Sequence, residues 1–192
     1  MEKKLSAILL AGGFSSRMGK NKAELPFRGT SMIEYQVEKP RSLGITDIVI
    51  SGYAKPLECA RFIPDVYPHR GPLSGVHAGL LAIRNAEALV LAVDTPLVPQ
   101  QLLRELMESH EGGITLAAAG GRAEPLIGVY DQALAGTCEA LLQGERTSMH
   151  CLFEKIPPKL VDYAGDKLLL LNCNTPEEYR ILREADGPLS NA

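Results

Sequence analysis

The amino-acid sequence predicts a single α/β domain built on a mostly parallel β-sheet with helices on both faces. Three observations predict this fold class: short segments that are almost entirely apolar, longer segments with helical spacing of apolar residues, and a regular alternation of the two along 192 residues. Continuously apolar strands are typical of parallel sheets whose faces are both buried by helices. A chain of this length suits one domain with a sizeable core.

The first half of the chain contains the clearest local signals. Ser31 and Glu34 have the spacing of a capping box, which opens a helix, and Pro40 is expected to end or kink that helix. The predicted elements are a strand at residues 5–10, this helix, a β-branched strand at 45–51, a short helical stretch at 54–61 before Phe62 and Ile63, and a helix at 75–84.

The second half continues the alternation. Leu102, Leu103 and Leu106 share one face of an amphipathic helix at residues 99–110. The remaining predicted elements are strands at 88–93, 114–119 and 125–129 and helices at 133–142, 148–154 and 176–184. We expect residues 1–185 to form the domain and residues 186–192 to be a flexible tail.

Composition excludes several classes of protein. The formal net charge is −3, which argues against a non-specific nucleic-acid binder. The apolar run near the amino terminus is too short for a signal peptide, and no run approaches the roughly 20 residues of a membrane span. The four cysteines include no C-x-x-C pair and are expected to be reduced thiols. We therefore expect a cytoplasmic protein that binds neither nucleic acid nor membranes.

The glycine-rich segment at residues 11–22 follows the first strand, where open α/β sheets bind ligands. It matches neither the P-loop nor the G-x-G-x-x-G fingerprint. Gly12 and Gly13 would let the backbone approach a base or sugar, Arg17 can fork onto a phosphate, and Lys22 supplies a point charge. The alternative is a surface turn with solvated lysines, and the clustering of glycines, serines and cations favours phosphate binding.

Asp94 ends another apolar strand at the same predicted edge. A lone carboxylate there is unfavourable unless a cation neutralises it, and Mg²⁺ beside phosphates is held by one or two carboxylates. The alternative is a helix N-cap. A third segment, residues 71–75, allows close packing of helix and sheet and could also face an anion. His77 is interpreted as a packing residue, and His110 shows no partner pattern for a metal site.

Six motifs together resemble those of the MobA-like nucleotidyltransferases. They are LAGGFSSRMGKNKAELPF at residues 10–27, Asp65, GPLSG at 71–75, DTPLVP at 94–99, EPLIGVY at 124–130 and NCNTPEEY at 172–179. Their order and spacing cover almost the whole chain, and NCNTPEEY favours the guanylyltransferase branch. The resemblance implies a single-domain, Rossmann-like, three-layer fold of the nucleotide-diphospho-sugar transferase type. It also implies transfer of GMP from Mg²⁺-GTP to molybdenum-bound molybdopterin, with release of pyrophosphate.

The resemblance also implies a set of site residues. The nucleotide would be bound by Leu10, Ala11, Gly12, Gly13, Lys22, Ser51, Asp65 and Asp94. Arg17, Lys22 and Asp94 would be catalytic, with Asp94 as the Mg²⁺ ligand and Asn174 near the metal or the pterin. Ser51 departs from the family pattern, which often has Asn there, and this leaves its nucleotide contact open.

Several alternatives remain at this point. The chain could be a molybdopterin cytidylyltransferase, another MobA-like transferase acting on a sugar or alditol phosphate, a nucleotide-binding module without turnover, or a structural subunit. Cytidylyltransferase relatives tend to read A-A-G where this chain reads A-G-G, so Gly13 favours GTP. Arg17, Lys22 and Asp94 argue against a module without turnover. The expected partners are GTP, molybdopterin and pterin-delivery proteins, and we expect a monomer.

Overall fold

A seven-stranded β-sheet is the centre of the computed structural model, which describes residues 4–12 and 21–185. The strands are β1 (Ser6–Leu10), β2 (Pro26–Phe27), β3 (Thr30–Ser31), β4 (Asp47–Ser51), β5 (Arg61–Ile63), β6 (Glu87–Ala92), β7 (Ile114–Ala119), β8 (Arg122–Asp131) and β9 (Lys159–Asp162). The helices are α1 (Met32–Ser42), α2 (Pro72–Ala82), α3 (Gln100–Ser109), α4 (Ala135–Leu142), α5 (Met149–Lys155) and α6 (Pro176–Ala185). Short 3₁₀ turns lie at Lys22–Glu24, Gln132–Leu134 and Lys167–Leu170.

The sheet has the order β5-β4-β1-β6-β8-β7-β9, while β2 and β3 pair separately. β1 is parallel to β4 and β6, β5 is parallel to β4, and β9 is parallel to β7. β8 is antiparallel to both β6 and β7, so it is the one strand of this sheet that runs against the others. The predicted mostly parallel α/β sheet is confirmed.

Two apolar cores lie on opposite faces of this sheet. Side chains of β1 alternate between them, with Ala7 and Leu9 in one core and Ile8 in the other. Helices α1, α3 and α6 cover the first face, and helices α2, α4 and α5 cover the second. This is the three-layer arrangement that the apolar strands and amphipathic helices predict.

Most predicted elements are present, and the capping box is confirmed. The Ser31 side chain accepts a hydrogen bond from the Glu34 backbone N–H, and Glu34 accepts one from the Ser31 backbone N–H at 2.8 Å. Helix α1 nevertheless continues through Pro40 to Ser42. Since Pro40 lies in the last turn with its ring buried, its missing N–H removes only one hydrogen bond near the end of the helix.

Two predictions about secondary structure are wrong, and strands β2, β3 and β9 were not predicted. Residues 54–60 form no helix, because Pro56 interrupts the segment and Leu57 pairs with Ala60 in an isolated bridge before β5. Helix α2 begins at Pro72 rather than Gly75, since proline suits the first helical position. Strand β9 was not predicted, because it is an edge strand that is largely exposed and lacks a buried apolar run.

Three further predictions concern membrane spans, cysteines and the carboxyl-terminal tail. No helix among the described residues is long and apolar enough to cross a membrane. All four cysteines are free thiols, and Cys59 is exposed whereas Cys138, Cys151 and Cys173 are buried. Residues 186–192, predicted to be a tail, lie outside the described residues.

Candidate active site at the carboxyl edge of the sheet

The carboxyl ends of four parallel strands meet at one edge of the sheet. Leu10 at the end of β1 pairs with Ser51 of β4 and Ala92 of β6. The ladder extends beyond the strands, because the Ala11 N–H donates to the Ser51 carbonyl at 2.9 Å and the Val93 N–H donates to the Leu10 carbonyl at 3.0 Å. The predicted segments after β1 and β6 are therefore neighbours in space.

A lysine, a carboxylate and an amide converge at this edge. Lys22 begins a 3₁₀ turn that is capped by Asn21. Its Nζ donates to Asp94 Oδ2 at 3.0 Å and to Asn174 Oδ1 at 2.6 Å. The Cys173 backbone N–H donates to the Asp94 carbonyl at 2.7 Å, which ties the two acceptor segments together. Asp94 is not a helix cap, since the residue before α3 is Pro99, so the capping alternative is wrong.

Local chemistry explains how Asn174 reaches this position. Thr175 and Glu178 form a capping pair at the start of α6: the Glu178 N–H donates to Thr175 Oγ1 at 3.2 Å, and Glu178 Oε2 accepts from the Thr175 N–H at 2.8 Å. The same carboxylate accepts from the Asn174 N–H at 2.8 Å. The NTPEE stretch is therefore a helix start that presents the Asn174 amide toward Lys22.

The oxygens of Asp94 and Asn174 fit a divalent cation. Carboxylate and amide oxygens are hard donors of the kind Mg²⁺ prefers, and Mg²⁺ commonly uses one or two carboxylates together with substrate phosphates. Here both oxygens contact one ammonium group, so the positive Lys22 Nζ lies between them. The donor set is thus arranged around a cation, and the side chains of Lys22 and Asp94 are 15% and 23% exposed, within reach of a ligand.

Ser51 and Asp65 form the second polar contact of the edge. The buried Ser51 hydroxyl donates to Asp65 Oδ1, and the Asp65 carboxylate is partly exposed. Room for the hydroxyl comes from Gly75, because a Cβ at that position would lie 2.8 Å from Ser51 Oγ and 2.8 Å from Leu10 Cδ2. Ser51 therefore orients the carboxylate of Asp65, a role that the sequence did not indicate.

Gly12 lies against a glycine that sequence reasoning missed. A Cβ on Gly52 would come within 2.3 Å of Gly12 Cα, and Gly52 has a φ of +79°. The two backbones therefore pack directly against each other at the ends of β1 and β4. The signal for this contact is the Ser-Gly pair at the end of β4, which parallels the Ala-Gly pair just after β1. Gly13 and Arg17 lie outside the described residues, and their predicted roles stay predictions.

A polar cluster at the opposite edge corrects the prediction for His110. Glu87, His110 and Asp131 bring ligand atoms within 4.8 Å of one another, a spacing at which they could hold a metal ion. His110 Nε2 lies 2.9 Å from Asp131 Oδ1, and Nδ1 lies 2.9 Å from Thr115 Oγ1. Glu87 begins β6 whereas Asp94 follows its other end, so this cluster is separate from the Lys22 site.

His77 fits the packing interpretation. Its ring is buried beside Tyr67, with ring centroids 5.6 Å apart, and neither ring nitrogen has a hydrogen-bond partner among the described residues. Burial lowers the pKa of His77, so the neutral form is favoured.

Comparison with known proteins identifies the family. The sequence model of the MobA-like NTP transferase domain matches residues 7–159. The chain belongs to the MobA-like NTP transferase family. It is 32% identical to the "probable molybdenum cofactor guanylyltransferase" of Carboxydothermus hydrogenoformans, over 93% of this chain and 94% of that protein. It is 33% identical to the "molybdenum cofactor guanylyltransferase" of Rhizobium meliloti, over 91% of this chain and 88% of that protein.

Solved structures agree on the fold. The molybdopterin-guanine dinucleotide biosynthesis protein A of Archaeoglobus fulgidus superposes with a TM-score of 0.80 at 21% identity, covering 95% of this chain and 98% of that one. Membership of the MobA-like family confirms the predicted enzyme class, a nucleotidyltransferase. The family's reaction moves a nucleotidyl group, and Lys22, Asp94 and Asn174 converge at the edge where open α/β sheets bind ligands.

Proposed function

We propose that this protein is a molybdenum cofactor guanylyltransferase, which transfers GMP from Mg²⁺-GTP to molybdenum-bound molybdopterin and releases pyrophosphate. The observation that carries the proposal is the convergence of Lys22, Asp94 and Asn174 at the carboxyl edge of the sheet. Both relatives described above bear this name, and the alignments cover about nine tenths of this chain. Their names favour the guanylyltransferase over the cytidylyltransferase and sugar-phosphate alternatives.

The proposed reaction requires positioning and charge neutralisation. The terminal phosphate of the pterin attacks the α-phosphorus of GTP, and the bond to the pyrophosphate oxygen breaks. Because the nucleophile is already an anion, no side chain has to remove a proton from it. The main obstacle is the repulsion between two anionic substrates, so cationic groups and fixed geometry supply the rate enhancement.

Lys22 and Asp94 would perform this neutralisation together. When the triphosphate enters, Lys22 Nζ exchanges its contacts with Asp94 and Asn174 for phosphate oxygens, and Arg17 adds a second cation. Asp94 and Asn174 would then hold Mg²⁺, which supplies charge stabilisation for the pyrophosphate leaving group. A nucleotide-binding module without turnover would have little use for this arrangement of carboxylate, amide and lysine.

Base recognition would take place at the end of β4. Guanine offers N–H donors at N1 and N2, and the Asp65 carboxylate, oriented by Ser51, is a suitable acceptor. Gly12 and Gly13 would form the floor beneath the nucleotide. Leu10 and Ala11 would line its inner end, since they continue the strand that leads into the glycines.

The test is steady-state pyrophosphate release with molybdopterin and Mg²⁺, comparing GTP, CTP and ATP. We expect a preference for GTP over CTP of at least about tenfold in kcat/KM, or about 1.4 kcal/mol. Mass spectrometry of the product should show the guanine dinucleotide. Equal efficiency, or a preference for CTP, would move the assignment to the cytidylyltransferase alternative.

Size-exclusion chromatography tests the proposed monomer, and co-purification from the cytoplasmic fraction tests for pterin-delivery proteins.

A further inference from the structure

The loop between β6 and α3 consists of residues 93–99 and includes Asp94. Two side chains of α1 donate hydrogen bonds to main-chain carbonyls of this loop and of the end of β6. Gln36 Nε2 donates to the Ala92 carbonyl at 2.6 Å and lies 3.3 Å from the Thr95 carbonyl. Lys39 Nζ donates to the Pro96 carbonyl at 2.5 Å and to the Val98 carbonyl at 2.8 Å. Four carbonyls on both sides of Asp94 thus accept hydrogen bonds from one helix.

Both donors are buried, which makes the arrangement unusual. Gln36 is 0% exposed and Lys39 is 5% exposed, although lysine is rarely buried without a paired anion. The two residues are three positions apart on α1, so they face the same neighbour. Burial, with a further contribution from the charge of Arg28, lowers the pKa of Lys39 to about 7. Two apolar side chains would join α1 to the loop without the free-energy cost of burying polar groups. The polar side chains at positions 36 and 39 instead supply hydrogen bonds to the buried carbonyls of the loop.

Two further hydrogen bonds hold the same loop. The Cys173 N–H donates to the Asp94 carbonyl at 2.7 Å, and Thr95 Oγ1 donates to the Ala92 carbonyl at 2.9 Å. With the α1 donors, these contacts leave the main chain around Asp94 little freedom to move. From this main chain the Asp94 side chain reaches Lys22, with Oδ2 3.0 Å from Nζ.

We propose that Gln36 and Lys39 are positioning residues that hold the 93–99 loop so that the Asp94 carboxylate stays in place for metal-dependent nucleotidyl transfer. The inference rests on the proposed function, because the reaction that these residues would support is the nucleotidyl transfer proposed there. Neither residue is placed against the nucleotide. Loosening the loop should therefore weaken the metal-dependent step while nucleotide binding without metal is retained, because small displacements of a reacting group lower rates by large factors.

The experiment compares Lys39→Met, Lys39→Arg and Gln36→Met with the wild-type protein. Lys159→Met is the matched control, since Lys159 Nζ also donates to a main-chain carbonyl, that of Ser109 at 2.7 Å, but on the exposed surface away from Asp94. Three quantities are measured: hydrogen–deuterium exchange of residues 93–98 by mass spectrometry, Mn²⁺ binding by electron paramagnetic resonance, and kcat against Mg²⁺ concentration.

For Lys39→Met we expect exchange in residues 93–98 to rise at least about tenfold while β1 and β6 stay protected. We also expect weaker Mn²⁺ binding and a kcat reduced at least about tenfold, with nucleotide affinity without metal unchanged. Lys39→Arg should restore part of the protection and activity relative to Lys39→Met, because a guanidinium can donate to both carbonyls but keeps its charge in the buried site. Gln36→Met provides the same test if Lys39→Met does not fold.

Two results would overturn the inference. One is unchanged exchange in the 93–98 segment of a folded Lys39→Met protein. The other is faster exchange with Mn²⁺ binding and kcat at wild-type levels. Exchange and Mn²⁺ binding do not require turnover of GTP, so they still decide the positioning role if the wild-type protein lacks guanylyltransferase activity, a result that would count against the proposed function alone.

Discussion

Lys22 Nζ lies 3.0 Å from Asp94 Oδ2, although 72 residues separate the two along the chain. Both groups are partly exposed at the edge where the parallel strands end. The ammonium of Lys22 neutralises the carboxylate that we propose as a metal ligand. Under that proposal Lys22 has two competing partners, the Asp94 carboxylate and the phosphates of an incoming nucleotide.

Replacing Lys22 with alanine should have opposite effects on turnover and on metal binding. We expect kcat to fall by about two orders of magnitude or more, as when one donor to a transition state is removed. Mn²⁺ should bind the nucleotide-free variant more tightly, because the ammonium no longer competes for Asp94 and Asn174. Steady-state kinetics and Mn²⁺ electron paramagnetic resonance measure the two effects.

The control for this change is Lys55→Ala. Lys55 Nζ lies 2.6 Å from Glu24 Oε1 in an exposed ion pair, so its loss should change neither quantity. Near-normal turnover in a folded Lys22→Ala protein would show that the glycine-rich segment and its cations form a surface turn with no role in catalysis.

Asp94→Ala should abolish metal-dependent pyrophosphate release while the fold is retained. The carboxylate is partly exposed, and its loop is held through main-chain carbonyls that the substitution leaves in place. Circular dichroism and thermal unfolding check the fold, and Asp162→Ala at the exposed end of β9 is the control. If Asp94→Ala unfolds and the wild-type rate does not depend on Mg²⁺, Asp94 is a structural residue and the mechanism is wrong.

Gly75→Ala should weaken nucleotide binding through Ser51. The added Cβ would lie 2.8 Å from Ser51 Oγ, so the hydroxyl has to turn away from Asp65. An Asp65 carboxylate that has lost its orientation should make a poorer hydrogen bond to the base, and the loss of one such bond, about 1 kcal/mol, corresponds to a KM for GTP about fivefold higher. Gly136→Ala in α4 is the matched control, since a Cβ there meets nothing within 4 Å. Equal KM values for the two variants would exclude an orienting role for Ser51.

Gly13→Ala should reduce the preference for GTP over CTP without inverting it. A purine needs a longer cleft than a pyrimidine, and the alanine methyl group would narrow the proposed floor of the site. Inversion is not expected, because acceptors such as the Asp65 carboxylate remain available to guanine N1 and N2. The ratio of kcat/KM values for the two nucleotides is the measurement, and an unchanged ratio would remove Gly13 from the specificity argument.

The pKa of Lys39 predicts a pH dependence of stability. Because the pKa falls from 10.5 to about 7 on folding, the unfolded chain holds more protons than the folded one between these values. The free energy of unfolding should therefore rise with pH in this window, by at most about 1.4 kcal/mol per pH unit from this group. This contribution is complete above 10.5 and is lost as the pH falls toward 7.

Urea unfolding at pH 7.0 to 8.5 would measure this slope, which should be smaller in Lys39→Met and unchanged in Lys159→Met. The range stops there because burial raises the pKa of Cys138 to about 12 and that of Cys173 to about 11 from 9.0. Above pH 9 these thiols ionise first in the unfolded chain and lower stability as pH rises. Equal slopes of the unfolding free energy against pH for wild type and Lys39→Met would contradict the lowered pKa of Lys39.

Local sequence determined most of the fold. Apolar runs predicted β1, β4 and β6, and the Ser31–Glu34 spacing predicted the start of α1, because these signals depend on a few neighbouring residues. A parallel sheet then brings the carboxyl ends of β1 and β6 to one edge, so the proximity of Lys22 and Asp94 could be expected. The prediction of a helix at residues 54–61 gave too little weight to Pro56, and Leu57 and Ala60 pack against the core from an irregular segment instead.

Only the tertiary structure decided which side chains meet at the site. The Lys22 contact with Asn174 spans 152 residues, and the Ser51 hydroxyl finds Asp65 only because Gly75 leaves room for it. Gln36 and Lys39 resemble surface residues of an ordinary amphipathic helix in sequence, and the structure buries both beneath the Asp94 loop. The physical reason is that hydrophobic periodicity specifies which face of an element is buried, whereas the partner of a buried polar group depends on how distant segments pack together.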